Sequence, residues 1–183
     1  MFEIRIHGRG GQGVVTTAEL LSVAAFAEGR YAQAFPTFGS ERTGAPVVGF
    51  CRIDAHPIRS HEPIAAPDAV IVQDATLIHQ PDVLAGLGAD GYLLLNTSRS
   101  PVELGLEPSK RMLCVPATEL ALKHLGRPMP GAVLLGAFAA FTGQVGLESV
   151  VAAIEERFSG PVAAGNIAAV RDAYEEARHA FAD

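Results

Sequence analysis

Six residues near the start of the chain, Gly8-Arg9-Gly10-Gly11-Gln12-Gly13, have the types and spacing of a loop that holds an anion. Glycine takes positive φ without steric penalty and lets a ligand approach the backbone closely. A helix beginning directly after such a loop turns unpaired N–H groups and the positive end of its dipole toward a phosphate. Glycines 8, 10 and 13 fit the G-x-G-x-x-G spacing of dinucleotide-binding loops. The full pattern also requires an acidic residue about twenty positions on, at the end of the second strand. Arg30-Tyr31-Ala32-Gln33-Ala34-Phe35-Pro36 carries none. Contact with phosphate or pyrophosphate is expected, without the ribose contact of an independent dehydrogenase. A tight strand-to-helix turn with no ligand is the structural alternative.

A second candidate is Ser40-Glu41-Arg42-Thr43-Gly44, where Arg42 is able to pair with a phosphate and Ser40 and Thr43 offer hydroxyls. The same stretch also reads as a solvated loop with ordinary exposed charges. Asn96 ends an expected buried strand, the place where open parallel sheets bind ligands, although a capping role suits it equally. Asp74, after Gln73 at another strand end, is placed to face the same site. The six histidines are scattered, with no two on one helix face at metal-ligand spacing, and His7 alone lies near the glycine loop. Nothing forms the nucleophile, base and orienter of a hydrolase. No catalytic residue and no metal site is therefore assigned.

These residues need elements to position them. Phe2-Glu3-Ile4-Arg5-Ile6 alternates apolar and polar, the period of a strand with one face buried, and helical spacing follows from Val14 to about residue 28, where Gly29 stops it. Strands are expected at 30–35 and 47–53. The turn Asp54-Ala55-His56-Pro57 suggests a hairpin reaching a short strand near Ile58 on one sheet edge. Ala69-Val70-Ile71-Val72 and Tyr92-Leu93-Leu94-Leu95 are continuous apolar runs, typical of strands buried on both faces. A helix is expected at 77–87, a further strand at 111–115, and helices near 118–125, 133–142, 147–158 and 162–182. Strands alternating with helices indicate one α/β domain over 1–183: a Rossmann-like, doubly wound, mostly parallel sheet with helices on both faces.

Composition narrows the function classes. The chain has 183 residues, 49% of them hydrophobic and 19% charged, which suits a packed globular core rather than disorder. A net charge of −6 argues against nucleic acid as the partner. The longest apolar stretch, from Ala132 to Phe141, is too short for a membrane span, and no secretory signal is visible, so a cytoplasmic location is expected. Cys51 and Cys114, the only cysteines, cannot supply the four thiolates of an ordinary iron–sulfur cluster. Any redox centre is expected on another chain.

With these residues in view, the chain resembles the gamma subunit of the 2-oxoacid:ferredoxin oxidoreductases. Gly8 to Thr16 is similar to that family's opening motif, and Phe38-Gly39-Ser40-Glu41-Arg42-Thr43-Gly44 to its tyrosine-glycine-proline-glutamate-x-arginine-glycine-glycine region. Pro67-Asp68-Ala69, Asn96-Thr97, Val115-Pro116-Ala117-Thr118, Asn166 and Ala173-Tyr174 recur in the same order. The resemblance implies a subunit, inactive alone, of a complex that oxidatively decarboxylates pyruvate, ketoisovalerate or a related 2-oxoacid to acyl-CoA with electrons to ferredoxin. It implies alpha, beta and delta partner chains carrying thiamine diphosphate, magnesium and iron–sulfur clusters, no cofactor held tightly by this chain alone, and a shared coenzyme A site. That site would draw on Gly8, Arg9, Gly10, Gly11, Gln12, Gly13 and Thr16, on Ser40, Arg42 and Gly44 of a second loop, and on Asn96 of a third. Phe38 and Ser40 depart from the family's tyrosine and proline, and Thr43-Gly44-Ala45 stands where Arg-Gly-Gly is common. A stand-alone nucleotide- or flavin-binding oxidoreductase and a non-catalytic assembly subunit are the competing readings.

Overall fold

A computed structural model describes residues 1–37 and 42–182, with no side chain described at 182. Strands β1 (Phe2–Arg9), β2 (Tyr31–Pro36), β3 (Pro46–Asp54), β4 (Ala69–Val72), β5 (Tyr92–Asn96) and β6 (Met112–Val115) form one sheet in the order β2-β3-β1-β4-β5-β6. The pairs β1–β4, β4–β5 and β5–β6 are parallel, whereas β3 runs antiparallel to both β1 and β2. The helices are α1 (Val14–Ala27), α2 (Ala117–Leu125), α3 (Gly131–Thr142), α4 (Leu147–Arg157) and α5 (Gly160–Ala182). The expected α/β class with a mostly parallel sheet is what the chain adopts.

The period of two sorts each strand's side chains between two cores. Ile4, Ile6, Ile71 and Leu94 face one side, where all five α-helices pack. Central there is α3, the longest apolar stretch, with all but two of its residues buried. A Cβ added at Gly136 would lie 2.2 Å from the carbonyl oxygen of Val170, so glycine is what lets α5 cross α3 at backbone contact. Val70, Val72, Leu93 and Leu95 face the other side, covered by Leu77, Ile78, Val83 and Leu104 from irregular segments.

That second face differs from expectation in two places. No α-helix forms at 77–87; a 3-10 turn at Ala75–Leu77 leads into successive turns. Pro81 lacks the N–H a helix needs, and Gly86 has φ +76° with Ala65 O only 1.9 Å from where a Cβ would be. Helical cover on this face is thus limited to short 3-10 turns. The expected hairpin from 47 to 58 is also absent: β3 is an interior strand between β2 and β1, and no strand forms at Ile58.

The polar face of β1 is buried rather than solvated. Arg5 and Arg52 are 6% and 3% exposed, and they anchor the irregular cover by its backbone carbonyls. Arg5 donates to the carbonyls of Ile64, Asp82, Val83 and Ala85, and Arg52 to those of Ser60 and Glu62. Arg5 Nε also donates to His7 Nε2 at 2.9 Å, which fixes His7 as neutral with its proton on Nδ1. Burial, and then the Arg5 charge, push His7 down to about 4.

Candidate functional site

β1 and β4 end side by side, with Gln73 N donating to His7 O at 2.7 Å. The glycine loop leaves from there, and its glycines divide by task. Gly8 packs tightly: a Cβ would meet Val14 at 2.6 Å. Gly10 is closer still to the second loop, since its Cβ would lie 2.1 Å from Arg42 O. Gly11 (φ +89°) and Gly13 (φ +71°) supply the left-handed turns, and Gly11 opens onto free space. Gly13 is the N-cap of α1 and offers no side chain, so the first-turn N–H groups have no side-chain acceptor.

The two loops foreseen as one site are joined through their backbones. Gly10 N donates to Ala45 O at 2.8 Å, Gly44 N donates to Gly10 O at 3.1 Å, and Gly10 and Thr43 form a parallel bridge. Arg42 and Gly44 therefore stand beside the glycine loop, while Ser40 lies outside the described residues. Arg9 adds a side-chain tie, donating from Nη1 to Gly44 O (3.1 Å), from Nε to Asp74 Oδ2 (3.2 Å) and from Nη2 to Thr76 Oγ1 (2.8 Å). Gln12 accepts from Arg9 N at 2.7 Å and donates to Asp74 Oδ2 at 3.0 Å. Burial pushes Asp74 up, but the Thr76 hydroxyl, Gln12, the Thr76 N–H and the Arg9 charge together outweigh it and hold the carboxyl below its ordinary value. It is ionised at neutral pH.

Asn96 is committed within the fold. Its Nδ2 donates to Gln73 O and to Thr118 Oγ1, both at 2.8 Å, and its Oδ1 accepts from Thr118 N at 3.1 Å. It caps α2 from the end of β5, a task that Pro116 at the N-cap position, lacking a side-chain acceptor, cannot perform. On the other side of the loop, Gln12, Gly13 and Thr16 form one wall of a cavity of about 460 Å³. Its remaining walls come from the ends of α2 and α4 and the starts of α3 and α5.

Comparison with known proteins identifies the lineage. The pyruvate ferredoxin/flavodoxin oxidoreductase family matches residues 3–176. The chain belongs to that family. It is 50% identical over 180 residues to the pyruvate/ketoisovalerate oxidoreductases common subunit gamma of Pyrococcus abyssi, covering 96% of this chain and 97% of the relative. The crystal structure of pyruvate oxidoreductase subunit PORC from Thermotoga maritima superposes with a TM-score of 0.83 at 39% identity, covering 95% of each chain. A further likeness, of fold alone, is to the 2-oxoglutarate:ferredoxin oxidoreductase of Magnetococcus marinus with 2-oxoglutarate, coenzyme A and succinyl-CoA bound. There the TM-score is 0.74 at 17% identity, over 98% of this chain and 31% of that one.

The protein is thus a gamma subunit of a pyruvate-type 2-oxoacid ferredoxin oxidoreductase, an enzyme with an iron–sulfur acceptor. Its described residues do not suit a cluster or a catalytic metal. Among the described residues no three His, Cys, Asp or Glu side chains group to hold an ion. Cys51 on β3 and Cys114 on β6 are four strand spacings apart, about 19 Å. Burial pushes the Cys51 thiol up to about 12, the opposite of what a thiolate ligand needs. No helix among the described residues is long and apolar enough to cross a membrane. Asn166, already singled out by the family pattern, also lines the cavity, together with Arg127 and Arg157, which no local sequence pattern marked, because three separate helix ends bring the three together.

Proposed function

We propose that the paired loops at the ends of β1 and β4 hold the pyrophosphate of coenzyme A for a 2-oxoacid oxidoreductase complex. The carrying observation is the backbone joint between Gly10 and residues 42–45, which fixes an uncapped helix N-terminus behind a lip with positive φ at Gly11 and Gly13. Such an arrangement offers N–H groups to an anion with little reorganisation on binding. The donor set suits a phosphate: backbone N–H groups, Thr16 Oγ1 and the exposed Arg42. A fold neighbour from Magnetococcus marinus carries bound coenzyme A, which supports coenzyme A as a ligand of the complex. Coenzyme A would supply the thiol that accepts the acyl group, and this chain would bind and orient it.

In this reading residues 1–183 act as one gamma-type domain in the cytoplasm. Alpha, beta and delta chains contribute thiamine diphosphate, magnesium and the clusters that pass electrons to ferredoxin. Gly11 gives a clean test, because nothing lies within 4 Å of a Cβ built there, and Asn and Asp are the non-glycine residues that best tolerate positive φ. In the assembled complex, Gly11→Asp is expected to raise KM for coenzyme A at least about tenfold, the loss of about one charge-assisted contact, relative to Gly11→Asn. Equal KM values for the two variants would remove the loop from the coenzyme site.

A further inference from the structure

Gln12 is gripped by two consecutive residues at the end of β4. Asp74 takes its side chain, accepting from Nε2 at 3.0 Å. Gln73 takes its backbone, donating from Nε2 to Gln12 O at 2.9 Å. No other donor reaches that carbonyl among the described residues. Gln73 is only 1% exposed, and its own backbone is held on both sides, N by His7 O at 2.7 Å and O by Asn96 Nδ2 at 2.8 Å.

The orientation of the Gln73 amide follows from its partner. A carbonyl oxygen at 2.9 Å accepts, so the NH2 end must face it. Oε1 is thereby turned the other way, where it is buried without a partner. It lies beside the start of α3, since a Cβ built at Gly131 would stand 3.5 Å from both amide atoms. Pro130 leaves that helix end without a side-chain cap, and the positive end of the dipole favours an oxygen there.

A trans peptide carries its C=O and N–H on opposite sides. Holding Gln12 O against Gln73 therefore turns the Gly13 N–H away from Gln73, toward the open side of the loop. That N–H has no acceptor among the described residues. Glycine at 13, with φ +71°, takes positive and negative φ with comparable ease, so no side chain of its own opposes a half-turn of the 12–13 peptide. In the turned state Gln12 O would face outward, an acceptor where an anion needs a donor.

We infer that Gln73 is a positioning residue that sets the polarity of the glycine loop, holding the 12–13 peptide with its N–H outward. The inference rests on the loop as an anion site and names the side chain that decides whether a donor or a carbonyl meets the anion.

The test uses the assembled complex with inorganic pyrophosphate as the probe. In the wild type, amide hydrogen exchange at Gly13 is expected to be fast in the free complex and slowed by pyrophosphate. Slow exchange there before any ligand is added would place the N–H inward and overturn the inference. Gln73→Met keeps the side-chain length and removes the donor. It should weaken pyrophosphate binding in equilibrium dialysis at least about fivefold, and raise KM for coenzyme A by the same factor with kcat unchanged. Equal pyrophosphate affinities in this variant and the wild type would return Gln73 to a packing role. Gln73→Glu supplies a signature that packing lacks, because a protonated carboxyl donates to Gln12 O as the amide does and a carboxylate does not. Its affinity relative to wild type should approach parity at low pH and fall as pH rises; a ratio independent of pH would refute the assignment. Pyrophosphate binding that depends on Gln73 in this way, yet does not compete with coenzyme A, would uphold Gln73 and remove the coenzyme from the loop.

Discussion

Replacing Gly10 with alanine tests whether the two loops form one rigid unit. The new Cβ would sit 2.1 Å from Arg42 O, 2.8 Å from Arg42 C and 3.3 Å from Thr43 Cα. All three neighbours are backbone, so no side-chain rotation relieves the clash and the second loop must lift. Lifting breaks Gly10 N to Ala45 O and Gly44 N to Gly10 O, about 1 kcal/mol each. It also strains the Arg9–Gly44 bond, which partial exposure makes worth about another 1 kcal/mol. The sum, about 3 kcal/mol, corresponds to a drop in Tm of roughly 6–12 °C for a chain of this size. Gly11→Ala is the control, with open space and only the left-handed backbone to penalise, about 1–2 kcal/mol. Thermal unfolding of the purified chain gives the first reading, and amide hydrogen exchange over residues 42–48 the second. Gly10→Ala should be the less stable of the two and should exchange faster at Gly44. If it melts within two degrees of wild type, roughly 1 kcal/mol or less, or above Gly11→Ala, the loops are not joined as described.

His7 predicts an acid-sensitive window. Its neutral form accepts from Arg5, and burial with the Arg5 charge lowers its folded value to about 4 from 6.5. The unfolded chain therefore takes up a proton first as pH falls, and stability that is complete above 6.5 declines down to about 4 and then levels, by up to about 3 kcal/mol. Urea unfolding across this range should show that slope, and His7→Gln, which keeps an acceptor without titrating, should flatten it; identical slopes would exclude His7 as the source. Asn96→Ala removes the α2 cap and two donors, an expected loss of about 2–3 kcal/mol with faster exchange at the Thr118 amide. A loss under about 0.5 kcal/mol would mean α2 does not depend on it.

What the sequence disclosed followed from local pattern. β1, the glycine turn, α1, β4 and β5 each carry their period or apolar run within a few residues, and each forms where that pattern lies. The cover of the second sheet face was not disclosed, because buried arginines hold it in place of hydrogen-bonded secondary structure. Arg5 satisfies carbonyls from Ile64 to Ala85 across 59 to 80 residues of sequence, a separation that no window of local pattern contains. Pro81 and Gly86 were nevertheless visible as breakers inside the expected helix at 77–87. The cavity was invisible for a related reason. Arg127 and Arg157 follow or end helices as ordinary exposed charges, and only the packing of α2, α4 and α5 brings them to one cavity with Asn166.

Arg9 shows how a loop motif conceals a division of labour. An arginine within a phosphate loop suggests direct charge pairing, but three of its N–H groups already serve Asp74, Thr76 and Gly44. Asp74 is ionised beside it, so the pair adds almost no net charge to the loop. An incoming phosphate that recruited Arg9 would have to compete with that carboxylate and loosen the second loop. The lower-cost arrangement leaves Arg9 as the strut and meets the phosphate with the free N–H groups of the turn and of α1, whose dipole supplies the favourable field. In that arrangement the net positive charge would come from outside the loop, as the exposed Arg42 is placed to supply it. Neutralising Asp74 by Asp74→Asn separates these roles. If Arg9 is a strut, the variant releases it, loosens the joint at Gly44 and raises KM for coenzyme A. If Arg9 is a ligand held back by Asp74, the same variant tightens binding. The sign of the change decides.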